Sequence, residues 1–291
     1  MTLVLLASTE DPAGSNIKQQ LLELKPWNPQ GTIFRQDYYT LDENKNILLI
    51  TIPDRTIFHD NIDKEIIHHL GIHPTQIIVL SRHSSKAEKP SLTVHPIGNY
   101  YTAEFGGKNQ TLVLSSPRFM TDLLRRIKPA AQEADLAYDV CFEVTHHGPY
   151  LETPTLYVEV GSTEKQWTNP IPANIIATCL IQLLEKAQFE HDMPDDIPVY
   201  IGIGGGHYAP RFTDIIFEKR VAFGHMIPSY HTKSDHITKE MLAQAITKTP
   251  NASGVYLHKK YLKKSHVTEF KNWCDELQIP VVSSTTMPLL S

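Results

Sequence analysis

Short apolar runs alternate along the chain with stretches of helical periodicity. Runs at 3–6, 47–52, 76–80, 112–114, 140–144, 156–160, 199–203, 221–223, 254–257 and 280–282 predict strands. Several are apolar throughout, as strands buried on both faces are. Between them, 15–24 and 61–70 predict helices, the second with Ile62, Ile66, Ile67 and Leu70 on one face. A third starts with Ser116 as N-cap and Pro117 in the first helical position, burying Phe119, Leu123, Leu124 and Ile127. The widest apolar stripe follows Asn169-Pro170: Ile171, Ile175, Ile176, Cys179, Leu180, Leu183 and Leu184. Thr238 reads as an N-cap stapled by Ile237 and Leu242, and Ser265 as the opening of a helix with Val267, Phe270, Cys274 and Leu277 inward. The polar stretch 84–91 reads as a loop. The stretch 188–198, with Asp192, Asp195 and Asp196 between prolines, reads as a surface connection. Strands alternating with helices predict an α/β, three-layer fold with a largely parallel or mixed sheet.

Composition narrows this. The 291 residues allow one large domain or two closely joined ones, and with no convincing linker a single domain over 1–291 is expected. A charged fraction of 20% and a hydrophobic fraction of 41% exclude wholesale disorder. Net charge is −5, so no global basic field draws the chain to nucleic acid or anionic lipid, and only a local patch remains for that role. Cys141, Cys179 and Cys274 are dispersed, with no CxxC, which fits a reduced, cytoplasmic setting. The opening segment lacks a basic n-region and reads as a buried strand, not a signal peptide, and no membrane partner is expected.

The unusual number is 15 histidines. In a parallel α/β sheet, ligands bind where loops leave the carboxyl ends of strands. Five predicted strand ends are polar: Ser81-Arg82-His83-Ser84-Ser85, Thr145-His146-His147-Gly148-Pro149, Gly161-Ser162 after Glu159, Gly204-Gly205-Gly206-His207-Tyr208, and Gly224-His225. Four carry a histidine. Imidazoles gathered with a carboxylate suit a catalytic zinc ion, because nitrogen and oxygen donors leave a coordination position open. His83, His146, His147 and His207 are therefore the candidate ligands. His95 and His225, taken singly, read as structural. His59, His68, His69, His73, His191, His258 and His266 read as solvated.

The run Gly202-Ile203-Gly204-Gly205-Gly206-His207 fails the dinucleotide fingerprint, since His stands at the last required glycine and Pro210 is expected to prevent a helix from opening cleanly. What survives is a bend of small residues whose amides at Gly204, Gly205 and Gly206 are candidate oxyanion donors. Serines are plentiful, but no GxSxG elbow exists. The local basic concentration is Lys259-Lys260-Tyr261-Leu262-Lys263-Lys264, with Arg118, Arg125, Arg126 and Lys128 a weaker second. Such a run is usually a solvated face, yet here it is the obvious place for phosphates to touch.

Six blocks together resemble the archaeal and plant type of D-aminoacyl-tRNA deacylase: residues 81–85, 93–99 (Thr-Val-His-Pro-Ile-Gly-Asn), Glu104-Phe105-Gly106-Gly107, Thr145-His146-His147-Gly148-Pro149, Glu159-Val160-Gly161-Ser162 and 204–212. They stand in the family's order, and the resemblance extends over about residues 2–256. The resemblance implies a fold similar to phosphorylase and peptidyl-tRNA hydrolase-like proteins. It also implies a zinc-associated hydrolase of broad side-chain specificity that cleaves the ester between a D-amino acid and tRNA, recycling mischarged tRNA. On that chemistry His83, His147, Glu159 and His207 are the candidate catalytic residues, with Glu159 as ligand or general base. Arg211, Lys259, Lys260, Lys263 and Lys264 are candidate tRNA contacts. No obligate protein partner is indicated, and a monomer is expected. Two other readings stand beside it: a zinc-dependent amidase or peptidase acting on a small acyl compound, built on the same histidines without needing the lysine run, and a non-catalytic tRNA- or metal-binding protein.

Overall fold

A computed structural model describes residues 2–185, 197–234 and 236–290. The strands are β1 (Leu3–Ser8), β2 (Trp27–Ile33), β3 (Gln36–Leu41), β4 (Ile47–Ile52), β5 (Gln76–Ser84), β6 (Ser91–Pro96), β7 (Gly98–Asn99), β8 (Thr111–Leu112), β9 (Asp139–Phe142), β10 (Thr155–Ser162), β11 (Val199–Ile203), β12 (Ala222–Ile227), β13 (Ala252–Leu257) and β14 (Val281–Val282). The helices are α1 (Pro12–Leu24), α2 (Ile62–Leu70), α3 (Pro117–Glu133), α4 (Glu164–Trp167), α5 (Pro170–Glu185), α6 (Pro210–Glu218), α7 (Ser229–Lys233), α8 (Lys239–Thr247) and α9 (Lys264–Glu276).

Eight strands form a large sheet in the order β2-β3-β4-β1-β5-β10-β6-β9. The segment β4-β1-β5-β10 is parallel, while β10 meets β6 antiparallel and β2-β3-β4 is an antiparallel meander. The sheet is therefore mixed. A second, parallel sheet runs β12-β11-β13-β14, and β7 and β8 pair separately.

Two-residue periodicity decides what each face of the large sheet carries. On β1, Leu3, Leu5 and Ala7 pack into a cluster with Ile17 and Leu21 of α1 and Leu180 and Leu184 of α5. Val4 and Leu6 point the other way, onto Ile62 and Ile66 of α2. Helices thus cover both faces, the expected layered α/β arrangement. The first cluster continues through Leu124 and Ile127 of α3 to Phe212 and Phe223, so one apolar core joins both sheets. Each fully buried Leu or Ile there contributes roughly 1.5–3 kcal/mol relative to exposure.

Several local features depart from the sequence pattern. β2 has four exposed residues in a row and Pro29, so it shows no apolar run and can pair only as an edge strand. Pro210 opens α6 instead of blocking it, because a first-turn position has no intrahelical N–H bond to lose. Ser116 precedes α3, but its hydroxyl donates to Gln76 Oε1 at 2.6 Å and does not cap the helix. The last helix begins at Lys264, one residue before Ser265. Thr238 does cap α8, accepting from the Met241 amide at 3.3 Å. Ile171 is 51% exposed, outside the stripe that α5 buries. The acidic connection at Asp192, Asp195 and Asp196 lies outside the described residues, as does His191. Among the described residues no helix is long and apolar enough to cross a membrane.

Candidate active site

The site grows from the same alternation that builds the core. Leu80, Val158, Val160, Leu92, Val94 and Phe142 turn toward the α1, α3 and α5 side. Their neighbours in sequence, Ser81 and His83, Glu159 and Gly161, Thr93 and His95, and Cys141 and Glu143, therefore share the opposite face of four adjacent strands. Register brings them close: Glu159 is opposite Ser81 and Thr93, and His83 is opposite Gly161. A Cβ at position 161 would lie 2.9 Å from the His83 ring and 2.6 Å from Ser91 Oγ, so glycine makes room for the imidazole.

Two loops add the remaining donors. Beyond β9, His146 bridges to Ile97, and the His147 carbonyl accepts from the Gly98 amide at 2.8 Å. After the glycine bend, the His207 carbonyl accepts from the Val144 amide at 2.9 Å, which fastens the second sheet's loop to the first sheet's. His225, inside β12, holds this junction. Its Nε2 donates to the Val113 carbonyl at 2.9 Å, and its Nδ1 lies 3.1 Å from the Thr145 hydroxyl, which itself accepts from the Met226 amide. His225 is thus structural, as expected for it singly.

Around Glu143, His207 Nε2 stands at 2.8 Å, His83 Nδ1 at 3.0 Å and His146 Nε2 at 3.4 Å. Around Glu159, His83 Nδ1 stands at 3.5 Å and His95 Nε2 at 3.7 Å. Tyr208 reaches His83 Nε2 at 3.0 Å, and the Nδ1 atoms of His146 and His147 lie 2.8 and 2.6 Å from the Val144 and Gly148 carbonyls. Those second contacts fix ring orientation and leave the other nitrogen facing inward, the usual way a ligating imidazole is held.

Burial sets the electrostatics. It opposes charge on Glu143, yet His207 and His83 hold that carboxyl well below the ordinary carboxylate range. Burial likewise opposes charge on His83, but Glu143 and Glu159 raise it to about 11. His147 goes the other way: burial, then the neighbouring His95, push it down to about 4. His146 is lowered for the same reasons.

Both oxygens of Glu143 and Nε2 of His95 are buried without a partner in hydrogen-bonding geometry, although ring nitrogens crowd around them. Such groups cost free energy unless something satisfies them. Three overlapping donor sets, His95/His146/His147, His83/Glu143/His207 and His95/Glu143/Glu159, each have their donor atoms within 4.8 Å of one another. This donor set fits a cation held by nitrogen and oxygen.

A cavity of about 640 Å³ opens at the cluster, lined by His83, His146, His147, Glu159 and His207 together with Asp11, Asn99, Tyr100 and Thr145. The structure brings His83, His146, His147 and His207 together at this cavity. Glu143 and His95 join them although neither was singled out as functional. The glycine bend does not line the cavity. The Gly204 amide is used by the Ile227 carbonyl, and the bend backs onto His258 and Leu262, so the expected oxyanion role of Gly204, Gly205 and Gly206 is not supported. Arg211 bonds Tyr256 and Ser284, Lys259, Lys260, Lys263 and Lys264 are exposed, and none of the five lines the cavity. His266 is buried, not solvated.

In this α/β protein, histidines and carboxylates converge beside one cavity and offer the nitrogen and oxygen donors that a cation site needs. Sequence comparison makes this specific: the family model for D-aminoacyl-tRNA deacylase matches residues 70–282, and the chain belongs to that family. The D-aminoacyl-tRNA deacylase of Methanosarcina acetivorans is 34% identical over 288 residues, covering 97% of this chain and 92% of the relative. That of Thermococcus onnurineus is 36% identical over 247 residues, covering 84% and 86%. A crystal structure solved as a conserved protein of unknown function superposes with a TM-score of 0.88 at 28% identity, covering 98% of this chain and 96% of that one.

Proposed function

We propose that this protein hydrolyses D-aminoacyl-tRNA, releasing the free D-amino acid and tRNA, with a zinc ion held by the histidine and carboxylate cluster. Family membership over most of the chain carries the substrate and the reaction. The unsatisfied buried oxygens of Glu143 support the metal. It would be held by one of three donor sets: His83, Glu143 and His207; His95, His146 and His147; or His95, Glu143 and Glu159. A zinc ion there supplies positive charge that acidifies water and polarises a carbonyl.

The chain's own groups divide the rest of the work. Of the two clustered glutamates, Glu159 is the one that lines the cavity, so its oxygens are placed to take the proton of the attacking water. Tyr208, through its hydroxyl at His83 Nε2, orients His83 Nδ1 toward both carboxylates. In the overall step, water oxygen bonds to the ester carbon, the bond to the ribose oxygen breaks, and that oxygen takes up a proton. The cavity walls at Tyr100 and Asn99 surround the space that the amino acid must enter.

The test is turnover of matched D- and L-tyrosyl-tRNA by purified protein with metal content measured on the same sample. The D form should be released far faster, with zinc present. Equal rates, or none with zinc supplied, overturn the reading.

A further inference from the structure

Among the described residues five aromatic side chains are exposed: Phe58, Tyr101, Phe105, Tyr230 and Tyr261. Tyr101, Phe105 and Tyr230, all exposed, line the cavity at the histidine cluster and so mark its mouth. Phe58 lies beside it, under the guanidinium of Arg55, a residue of the same lining, at 5.1 Å. Phe105 is 60% and Phe58 51% exposed. Large apolar rings left in water at a single opening mark a surface that something covers.

The rings are held, not dangling. Gly106 and Gly107 take positive φ, and a Cβ on Gly106 would fall 1.7 Å from the Ile57 carbonyl. This presses the 99–110 loop onto the segment that carries Phe58. The Phe105 carbonyl accepts from the Gly148 amide at 3.0 Å, the Tyr101 carbonyl from the Gln110 amide at 2.8 Å, and Asn99 Nδ2 donates to the Gly106 carbonyl at 2.8 Å. Gly148 directly follows His147, so the position of Phe105 is set by the backbone of a cluster residue. One face of Tyr101 is taken by His236, stacked at 3.8 Å and 6°.

Charge at the mouth is mixed. Arg55 and Arg82 line it, the second lying over Trp167 at 5.3 Å, but so do Glu10 and Glu104. A polyanion is therefore not recognised here by field alone, and the flat ring faces must contribute. Unpaired bases stack on such faces whatever their sequence. An ester on the terminal ribose of tRNA, once held over the histidines, carries the base of its own nucleotide to the mouth of the cavity.

We infer that Phe58, Tyr101, Phe105 and Tyr230 form a stacking rim for the unpaired 3′-terminal bases of tRNA, and this rests on the proposed reaction. The rim fixes where the ester sits; it takes no part in bond breaking.

Binding of a fluorescent CCA trinucleotide, followed by anisotropy, tests it together with kinetics on D-tyrosyl-tRNA. Phe105→Ala and Tyr101→Ala should each weaken trinucleotide binding and raise KM by about tenfold, with kcat kept. Phe105→Trp should restore both, which a merely structural role for the loop would not require. Unchanged trinucleotide binding in the alanine variants overturns the rim, as does loss of kcat without change in KM. A wild-type protein that turns over D-tyrosyl-tRNA but binds no trinucleotide also overturns it, leaving the proposed function intact. Trinucleotide binding that depends on Phe105 and Tyr101, without any turnover, supports the rim and removes the proposed function.

Discussion

The cluster on the large sheet and the basic run that follows the second sheet are both dense in ionisable side chains, and the structure treats them in opposite ways. Glu143, Glu159, His83 and His95 are buried, and several of their polar atoms lack hydrogen-bonded partners. Lys259, Lys260, Lys263 and Lys264 stand in water beyond the strand end at Leu257. A buried polar atom without a partner is unstable as it stands, so it points to a ligand. An exposed ammonium is already satisfied by solvent and points to nothing by itself. The two regions therefore differ in how strongly structure alone argues for function.

The sharpest break in that comparison is Glu143→Gln. The change keeps side-chain volume but removes the charge that three imidazoles surround. If the cluster holds a metal, turnover of D-tyrosyl-tRNA should fall by more than about 100-fold and bound zinc should drop, read by elemental analysis of purified protein. Thermal unfolding on the same sample separates loss of metal from loss of fold. A variant that keeps full zinc and full rate would make Glu143 an ordinary buried ion pair.

Why Glu143 and His95 escaped the sequence reading has a physical answer. Ligands in parallel sheets gather at strand ends, which directs attention to histidines there. That rule found His83, His146, His147 and His207. But β6 runs antiparallel to β10, and its donor lies within the strand, at His95, opposite Tyr157. The available signal was strict alternation: Leu92-Thr93-Val94-His95 and Val140-Cys141-Phe142-Glu143 place apolar and polar residues on opposite faces. Layer order, most strands and the strongly patterned helices were legible because burial writes a period into the sequence. The β2-β3 hairpin was not, since an exposed edge strand carries no such pattern. Nor was the misplacement of the glycine bend, because nothing local in Gly204-Gly205-Gly206 says which neighbour it packs on.

His225 sharpens the comparison from a third side, as a buried histidine whose partners are all protein. Burial depresses it to about 4 from the ordinary 6.5, against the smaller opposing effect of its bond to the Val113 carbonyl. Between those values the unfolded chain binds the proton and the folded one does not, so its contribution is complete above pH 6.5 and is lost as pH falls toward 4. The difference of about 2.5 pH units corresponds to about 3 kcal/mol. Denaturant unfolding of wild type and His225→Asn between pH 7 and pH 4 should show a shallower pH dependence in the variant by about that amount. Equal slopes would mean that His225 is protonated in the fold and that the Thr145 junction carries a charge.

The smallest effect is expected where the sequence looked most suggestive. Lys263 and Lys264 are exposed, and replacing both by Ala should leave unfolding free energy within about 0.5 kcal/mol. Yet the run is not remote from the chemistry. Leu262 and His258 pack against Gly204, and three residues after Gly204 the chain delivers His207 to Glu143. A phosphate resting on these lysines would therefore lie beside the bend that leads to His207. Each lysine that touches phosphate releases condensed counterion, so losing it should flatten the dependence of log KM on log salt by about 0.7–0.9. The double variant should raise KM for charged tRNA severalfold while kcat stays, the mark of binding lost equally from ground and transition states. An unchanged KM and salt slope would return the run to a solvated surface, and the phosphate track would then have to run past Arg55 and Arg82, on the same side as the aromatic mouth.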